Sequence, residues 1–147
     1  MAISKEPDID NFLFRNLHPK ISIGAASDRY AGSLDQIYTK DKYKISTRSH
    51  KVGNKTFKEE NLPIESAVEY FHHFSVLEID FTFYRPLLSK DLQPTSNYRI
   101  LQSYNKYLGD SDKLILKVPQ VIFAHKFFQS GKQVENPYYL NAEMFTN

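Results

Sequence analysis

The chain has 147 residues, enough for one domain with a substantial core, and its 41% hydrophobic and 24% charged content is that of a globular protein. A formal charge of +2 is too small to imply a nucleic-acid partner, and the absence of cysteine excludes disulfides, thiolate nucleophiles and Cys-ligated metal centres. The start, MAISKEPDIDNFLF, lacks a signal-peptide core and no run approaches membrane-spanning length, so a cytoplasmic protein without a membrane partner is expected.

Residues 1–20 read as an N-terminal extension. Ile21-Ser22-Ile23-Gly24-Ala25-Ala26-Ser27 reads as a first strand that runs into small residues. Residues 40–58 carry Lys40, Lys42, Lys44, Arg48, Lys51, Lys55 and Lys58 against Asp41 alone. With little apolar periodicity, this stretch reads as a solvated basic loop insertion; as a binding surface it would steer an anionic ligand or nucleic acid through Lys40, Lys44 and Lys51. A helix is predicted over residues 62–74, with Pro63 in its first turn and Ile64, Val68, Phe71 and Phe74 on one face.

A second strand is predicted over residues 75–82. Leu77, Ile79 and Phe81 alternate with Glu78, Asp80 and Thr82, so two carboxylates face away from the apolar side. Burying carboxylates costs several kcal/mol unless they are paired, hydrated or metal-bound, so this strand marks a site. Residues 94–108 form a helix candidate with Ile100, Leu101, Tyr104 and Leu108 on one face and Gly109 as its stop. Residues 113–118 are a near-continuous apolar run of the kind covered on both faces, stopped by Pro119. A third helix is expected from Asn136-Pro137 to the end.

The β-α-β-α-β-α order favours a parallel sheet with right-handed crossovers. No G-x-G-x-x-G follows the first strand and no G-x-x-x-x-G-K-[ST] occurs, which argues against an open nucleotide-binding sheet. Polar residues facing one interior favour a barrel. A complete (β/α)₈ barrel needs about 250 residues, so the expectation is a partial TIM barrel, its first three βα units over residues 21–147, in a truncated chain. Such a piece exposes sheet edges and an apolar face, and invites self-association.

Leu77-Glu78-Ile79-Asp80-Phe81-Thr82-Phe83-Tyr84-Arg85 is similar to a V-E-[IVL]-[ND]-x-T-[FY]-Y motif, and Leu116-Lys117-Val118-Pro119-Gln120-Val121-Ile122-Phe123-Ala124-His125 to V-K-x-P-x-x-[IL]-[TS]-H. Ile23-Gly24-Ala25-Ala26-Ser27 and Asn136-Pro137-Tyr138-Tyr139-Leu140 have counterparts as well, and Gln36-Ile37-Tyr38-Thr39 a loose one. In these segments the chain resembles the YecE-like family, a domain of unknown function (number seventy-two). The resemblance implies a TIM-barrel fold with a site at the C-terminal strand ends, and supplies no reaction. The chain departs from the pattern at Asp28-Arg29-Tyr30, where many members have tryptophan nearby, at Ala124, and in the longer loop at 40–58.

The candidate catalytic residues are Asp80, Lys117, His125 and Glu78, with Tyr84 and Arg85 as ligand contacts. Glu78 and Lys117, on adjacent strands, form either an acid/base pair or an internal ion pair that fixes the barrel's register. Asp80, one pleat nearer the strand end, would act as a base or cap a turn. Arg85 could fork onto a carboxylate or phosphate, and Tyr84 could stack on a ligand. His125 reaches the site only if its loop folds back, and His72 and His73 read as structural or solvent-facing. No H-x-H or H-E-x-x-H spacing occurs, so no cofactor is predicted; a divalent metal would have Glu78, Asp80 and His125 to draw on. The function expected is an enzyme-like site for a small anionic or phosphorylated ligand. The alternatives are a non-catalytic nucleic-acid-binding protein and an inactive barrel piece.

Overall fold

A computed structural model describes residues 13–89 and 91–141, and in it the chain is mixed α/β. The elements are β1 (Gly24–Ala25), β2 (Ser46–Val52), β3 (Lys55–Asn61), α1 (Ala67–His73), β4 (Val76–Ile79), α2 (Phe81–Tyr84), α3 (Ser96–Asn105), β5 (Lys113–Leu116), α4 (Gln120–Phe123), β6 (Lys126–Gln129) and β7 (Lys132–Glu135). Short 3₁₀ turns lie at Ala31–Ser33 and Ile64–Ser66. A small sheet has the order β1-β4-β5, with β1 and β4 parallel and Ala25 opposite Leu77, while β2-β3 and β6-β7 are separate antiparallel ribbons. The expected β-α-β-α-β succession is present, and no barrel closes among the described residues. No helix among them is long and apolar enough to cross a membrane.

The residues fall into two units, one of residues up to Glu78 with Ser103–Leu114, the other of Ile79–Gln102 with residues from Ile115 onward. The first unit is built on α1. Pro63 and the turn at Ile64–Ser66 start it, and Ala67, Tyr70, Phe71 and Phe74 are buried. This face is turned from the predicted one, because Val68 is 40% exposed. Ala67 lets the helix approach its neighbours closely, and Tyr70 brings a hydroxyl that finds partners on both sides. That hydroxyl accepts from Ala25 N–H at 2.7 Å and donates to Val76 C=O at 2.8 Å, so one side chain clips β1 to β4. Burial pushes the phenol up to about 12. Around it, the Tyr70 and Phe74 rings stack at 4.9 Å and Phe14 stacks on Phe74 at 5.2 Å.

The segment before residue 21 contributes to this unit. Phe14 N–H donates to His73 C=O, and the Arg15 guanidinium donates to the Phe71 and Phe74 carbonyls at 2.5 and 2.8 Å, where α1 leaves its last carbonyls unpaired. Asp112 holds that guanidinium at 2.6 Å. Of the adjacent histidines, His73 is buried and His72 exposed. Glu69 is buried and accepts from Thr39 N–H, Thr39 Oγ1 and Lys42 Nζ. Burial pushes its carboxyl up, but these bonds outweigh the burial and hold it below the usual range.

Several expectations are corrected. The first strand is two residues long, with Ile21 and Ile23 exposed. The basic loop is an ordered ribbon: β2 and β3 pair from Ser46↔Asn61 to Val52↔Lys55. Its turn is Gly53-Asn54, with positive φ (61°) at the first central position alone, the pattern of a type II′ hairpin. The second strand ends at Ile79, because Asp80 takes helical dihedrals (φ −83°, ψ −27°) and Phe81–Tyr84 coil into α2. The helix predicted over 94–108 is confined to α3, and Gly109 N–H bonds to Asp112 Oδ2 instead of stopping it. β5 is not covered on both faces: it ends the order β1-β4-β5, and Ile115, Leu116 and Val118 are 49%, 41% and 41% exposed. Residues 137–140 form a turn, and the rest of the helix expected at the end lies outside the described residues.

Buried Asp28 accepts from Tyr104 Oη at 2.8 Å through Oδ1, while its Oδ2 has no hydrogen-bond partner. Burial raises its pKa above the ordinary 3.8, against the lowering by Tyr104 and Arg29. A carboxyl raised on folding contributes stability that is complete below its unfolded pKa and lost as pH rises through the folded one. The melting temperature of Asp28→Asn minus that of the parent should therefore increase from pH 4 to pH 7, and a flat difference would contradict the buried-acid account. Tyr70→Phe leaves Ala25 N–H and Val76 C=O without their shared partner; chemical denaturation should register a loss of about 2 kcal/mol.

Candidate functional site

In the second unit the two strand ends deliver charged residues to one place. β4 ends at Ile79 and β5 at Leu116, so Asp80 and Lys117 are the first residues past neighbouring strands. Their side chains meet at 2.5 Å, Lys117 Nζ to Asp80 Oδ1, and are 42% and 50% exposed. A pair this open to water adds at most about 1 kcal/mol of stability.

Buried polar side chains hold the loops behind this pair. Thr82 Oγ1 is within hydrogen-bond distance of Lys117 C=O at 2.9 Å and Ile79 C=O at 3.3 Å, tying the first turn of α2 to the segment after β5. Asn97 Nδ2 donates to Phe81 C=O at 2.9 Å and Arg85 C=O at 2.8 Å. These bonds take up carbonyls that the one-turn helix α2 leaves open. Arg85 is extended (φ −147°, ψ 130°), as the following Pro86 requires, and its Nη1 donates to Ser96 Oγ at 3.3 Å. Thr95 Oγ1 meets the Pro86 and Leu87 carbonyls at 2.8 and 2.9 Å and closes the loop between α2 and α3. Within that loop Leu92 adopts a left-handed conformation (φ 57°), which a branched side chain adopts only at a cost of roughly 1 kcal/mol.

These segments line an open cleft of about 1140 Å³, entirely within the second unit. Its walls are mostly apolar, with Leu87, Leu88, Leu92, Leu116, Val118 and Ile122 among them, and its cations among the described residues are Arg85 and Lys117. It is slightly larger than the roughly 300–1,000 Å³ of most small-molecule sites. α4 forms part of the wall. Asn136 organises α4, because its Nδ2 donates to Val121 C=O at 2.6 Å and Ala124 C=O at 2.7 Å while its Oδ1 accepts from Tyr138 N–H.

Of the residues expected at the site, Arg85 and Lys117 line the cleft and Asp80 joins it through Lys117. Tyr84 is 78% exposed with its ring edge-on to Phe83. His125 lies edge-on to Tyr139 at 5.1 Å, its carbonyl accepts from Asn136 N–H, and it leads straight into β6. Neither lines the cleft. Glu78 is half-buried on β4 and belongs to the first unit. Among the described residues, no three His, Asp or Glu side chains are gathered so as to hold a metal ion. Lys40 lies 3.7 Å from Asp35, Lys44 is exposed, and Lys51 sits opposite Thr56 in the β2–β3 ribbon.

Asn97 carries no signal in sequence, and Thr82 and Asn136 stand there only as members of motifs, because their partners are backbone groups up to 35 residues away. Comparison with protein-family models, with curated proteins and with solved structures finds no match to this chain. Asn97→Ala should cost about 2 kcal/mol by leaving two carbonyls unpaired, measured by chemical denaturation. If that stability is unchanged, Asn97 does not hold the loop that carries Arg85.

Proposed function

We propose that the cleft of the second unit binds a small anionic ligand with an apolar body, and that Asp80 and Lys117 serve it as an acid–base pair. The observation that carries this reading is the placement of Arg85 and Lys117, the cations among the described residues of a mostly apolar cleft, with a carboxylate 2.5 Å from Lys117. Apolar walls favour the ligand's body, while a guanidinium and an ammonium favour a carboxylate or phosphate head. Arg85 has the planar fork for two oxygens of that head. Lys117 offers a point charge that can leave Asp80 for the ligand, and Asp80 is then an uncompensated carboxylate beside it, able to accept a proton.

The same residues support a YecE-like, barrel-type reading of the fold. Parallel β1 and β4, a helix after each of β4 and β5, and charged residues immediately past both strand ends are the arrangement in which such barrels place their sites. The barrel is part of the proposal.

Binding of phenyl phosphate and of octanoate to the full chain, followed by titration calorimetry, tests the reading. Lys117→Met and Arg85→Met should each weaken binding tenfold or more with the melting temperature unchanged. Asp80→Asn should tighten binding, because the carboxylate no longer competes with the ligand for Lys117, and should abolish any proton-transfer turnover. Weaker binding in Asp80→Asn would assign Asp80 to a structural pair and overturn the acid–base assignment. No binding of either probe by the parent chain would overturn the site.

A further inference from the structure

We propose that the outer half of the β2–β3 ribbon binds single-stranded nucleic acid, stacking a base on Phe57, holding the adjacent phosphate with Lys55 on the same face and, where the strand passes round the ribbon's edge, further phosphates with Lys51 and Lys58 on the other. The surface belongs to the first unit and is independent of the cleft.

The ribbon is exposed along its length: every residue from Ser46 to Glu60 is exposed, and only Asn61 at its base is half-buried. Two-stranded ribbons without a covered apolar face are marginal by themselves, so an ordered ribbon of this kind has a surface left to offer a partner. Its register sorts the side chains. Directly opposed residues share a face, which places the His50–Phe57 and Val52–Lys55 pairs on one side and the Ser49–Lys58 and Lys51–Thr56 pairs on the other.

Charge divides along the ribbon as well. The acidic residues stand at its base, Glu60 opposite Thr47 and Glu59 opposite Arg48. From Ser49 to Lys58 there are three lysines and no carboxylate. Other cations of the basic stretch are already engaged, Lys42 with Glu69 and Lys40 with Asp35. The outer half therefore complements a polyanion, whereas the base neutralises itself.

The aromatic pair identifies which polyanion. The His50 and Phe57 rings stack at 5.9 Å with 20° between their planes, and Phe57 is 46% exposed. An exposed aromatic ring with Lys55 on its own face of the ribbon is what an unpaired base stacks on, and such stacking tolerates any base. A duplex keeps its base faces covered and could use only the lysines. An acidic peptide likewise matches the lysines and gains nothing from the flat rings.

Fluorescence anisotropy of the full chain with labelled oligothymidylate tests this, with the same strand in a duplex and polyglutamate as comparators. The expected result is saturable binding with a log–log salt slope of roughly −2, for about 0.7 counterions released at each of three lysines. Phe57→Ala should weaken it tenfold or more, Phe57→Tyr should restore it, and Lys51→Ala with Lys55→Ala should flatten the slope. Phe57 is exposed, so these changes leave the fold intact, which circular dichroism checks. The proposal is overturned by absence of binding at low salt, by indifference to Phe57→Ala, or by duplex or polyglutamate binding as tightly as the single strand.

Discussion

A single hydroxyl group sits where the small sheet is made. β1 is only two residues long, too short to hold its register against β4 through ladder bonds alone. Tyr70 supplies the missing constraint by accepting from one strand and donating to the other, from a helix that lies between them in sequence. This couples the orientation of α1 to the pairing of β1 with β4. It also explains why the helix buries Tyr70 and leaves Val68 in water. The position of β4 in turn decides where the chain emerges at Asp80.

The same economy recurs wherever the elements are short. α2 and α4 are single turns, so most of their backbone groups lack partners within the helix. Asn97 meets the need of α2, Asn136 that of α4, and Arg15 that of the end of α1. These side chains act as substitutes for length of secondary structure. The cleft owes its definition to them, because Arg85 and Lys117 lie in segments fixed by Asn97 and Thr82.

The order of the sheet-forming segments and the placement of Asp80, Arg85 and Lys117 past the strand ends were legible in sequence, since alternation and strand-end position need only local information. The end of the strand at Ile79 was not legible. Phe81 and Phe83 continue the period-2 pattern, and the side-chain bonds that accompany the change to a helical turn, from Thr82 to Lys117 and from Asn97 to Phe81 and Arg85, are tertiary. The two ribbons were missed for a different reason. Gly53-Asn54 and Ser130-Gly131 are turn dipeptides, and Ser130 and Gly131 both have positive φ, but β2 and β3 are exposed almost throughout and β6 and β7 half-bury just Phe127 and Val134, so both ribbons lack the apolar alternation by which strands are found. The position of His125 was hidden by the second of these ribbons, which begins immediately after it.

The division of the chain has a consequence for how it is made. The backbone leaves the first unit after Glu78, returns at Ser103 and leaves again after Leu114. No contiguous stretch of coding sequence specifies either unit. During synthesis Arg15 emerges long before Asp112, its partner 97 residues further on. The first unit therefore cannot finish assembling while only its own first segment is outside the ribosome, and the intervening residues 79–102 must wait with it. Such interleaving delays completion of the first unit until the chain has grown past Leu114.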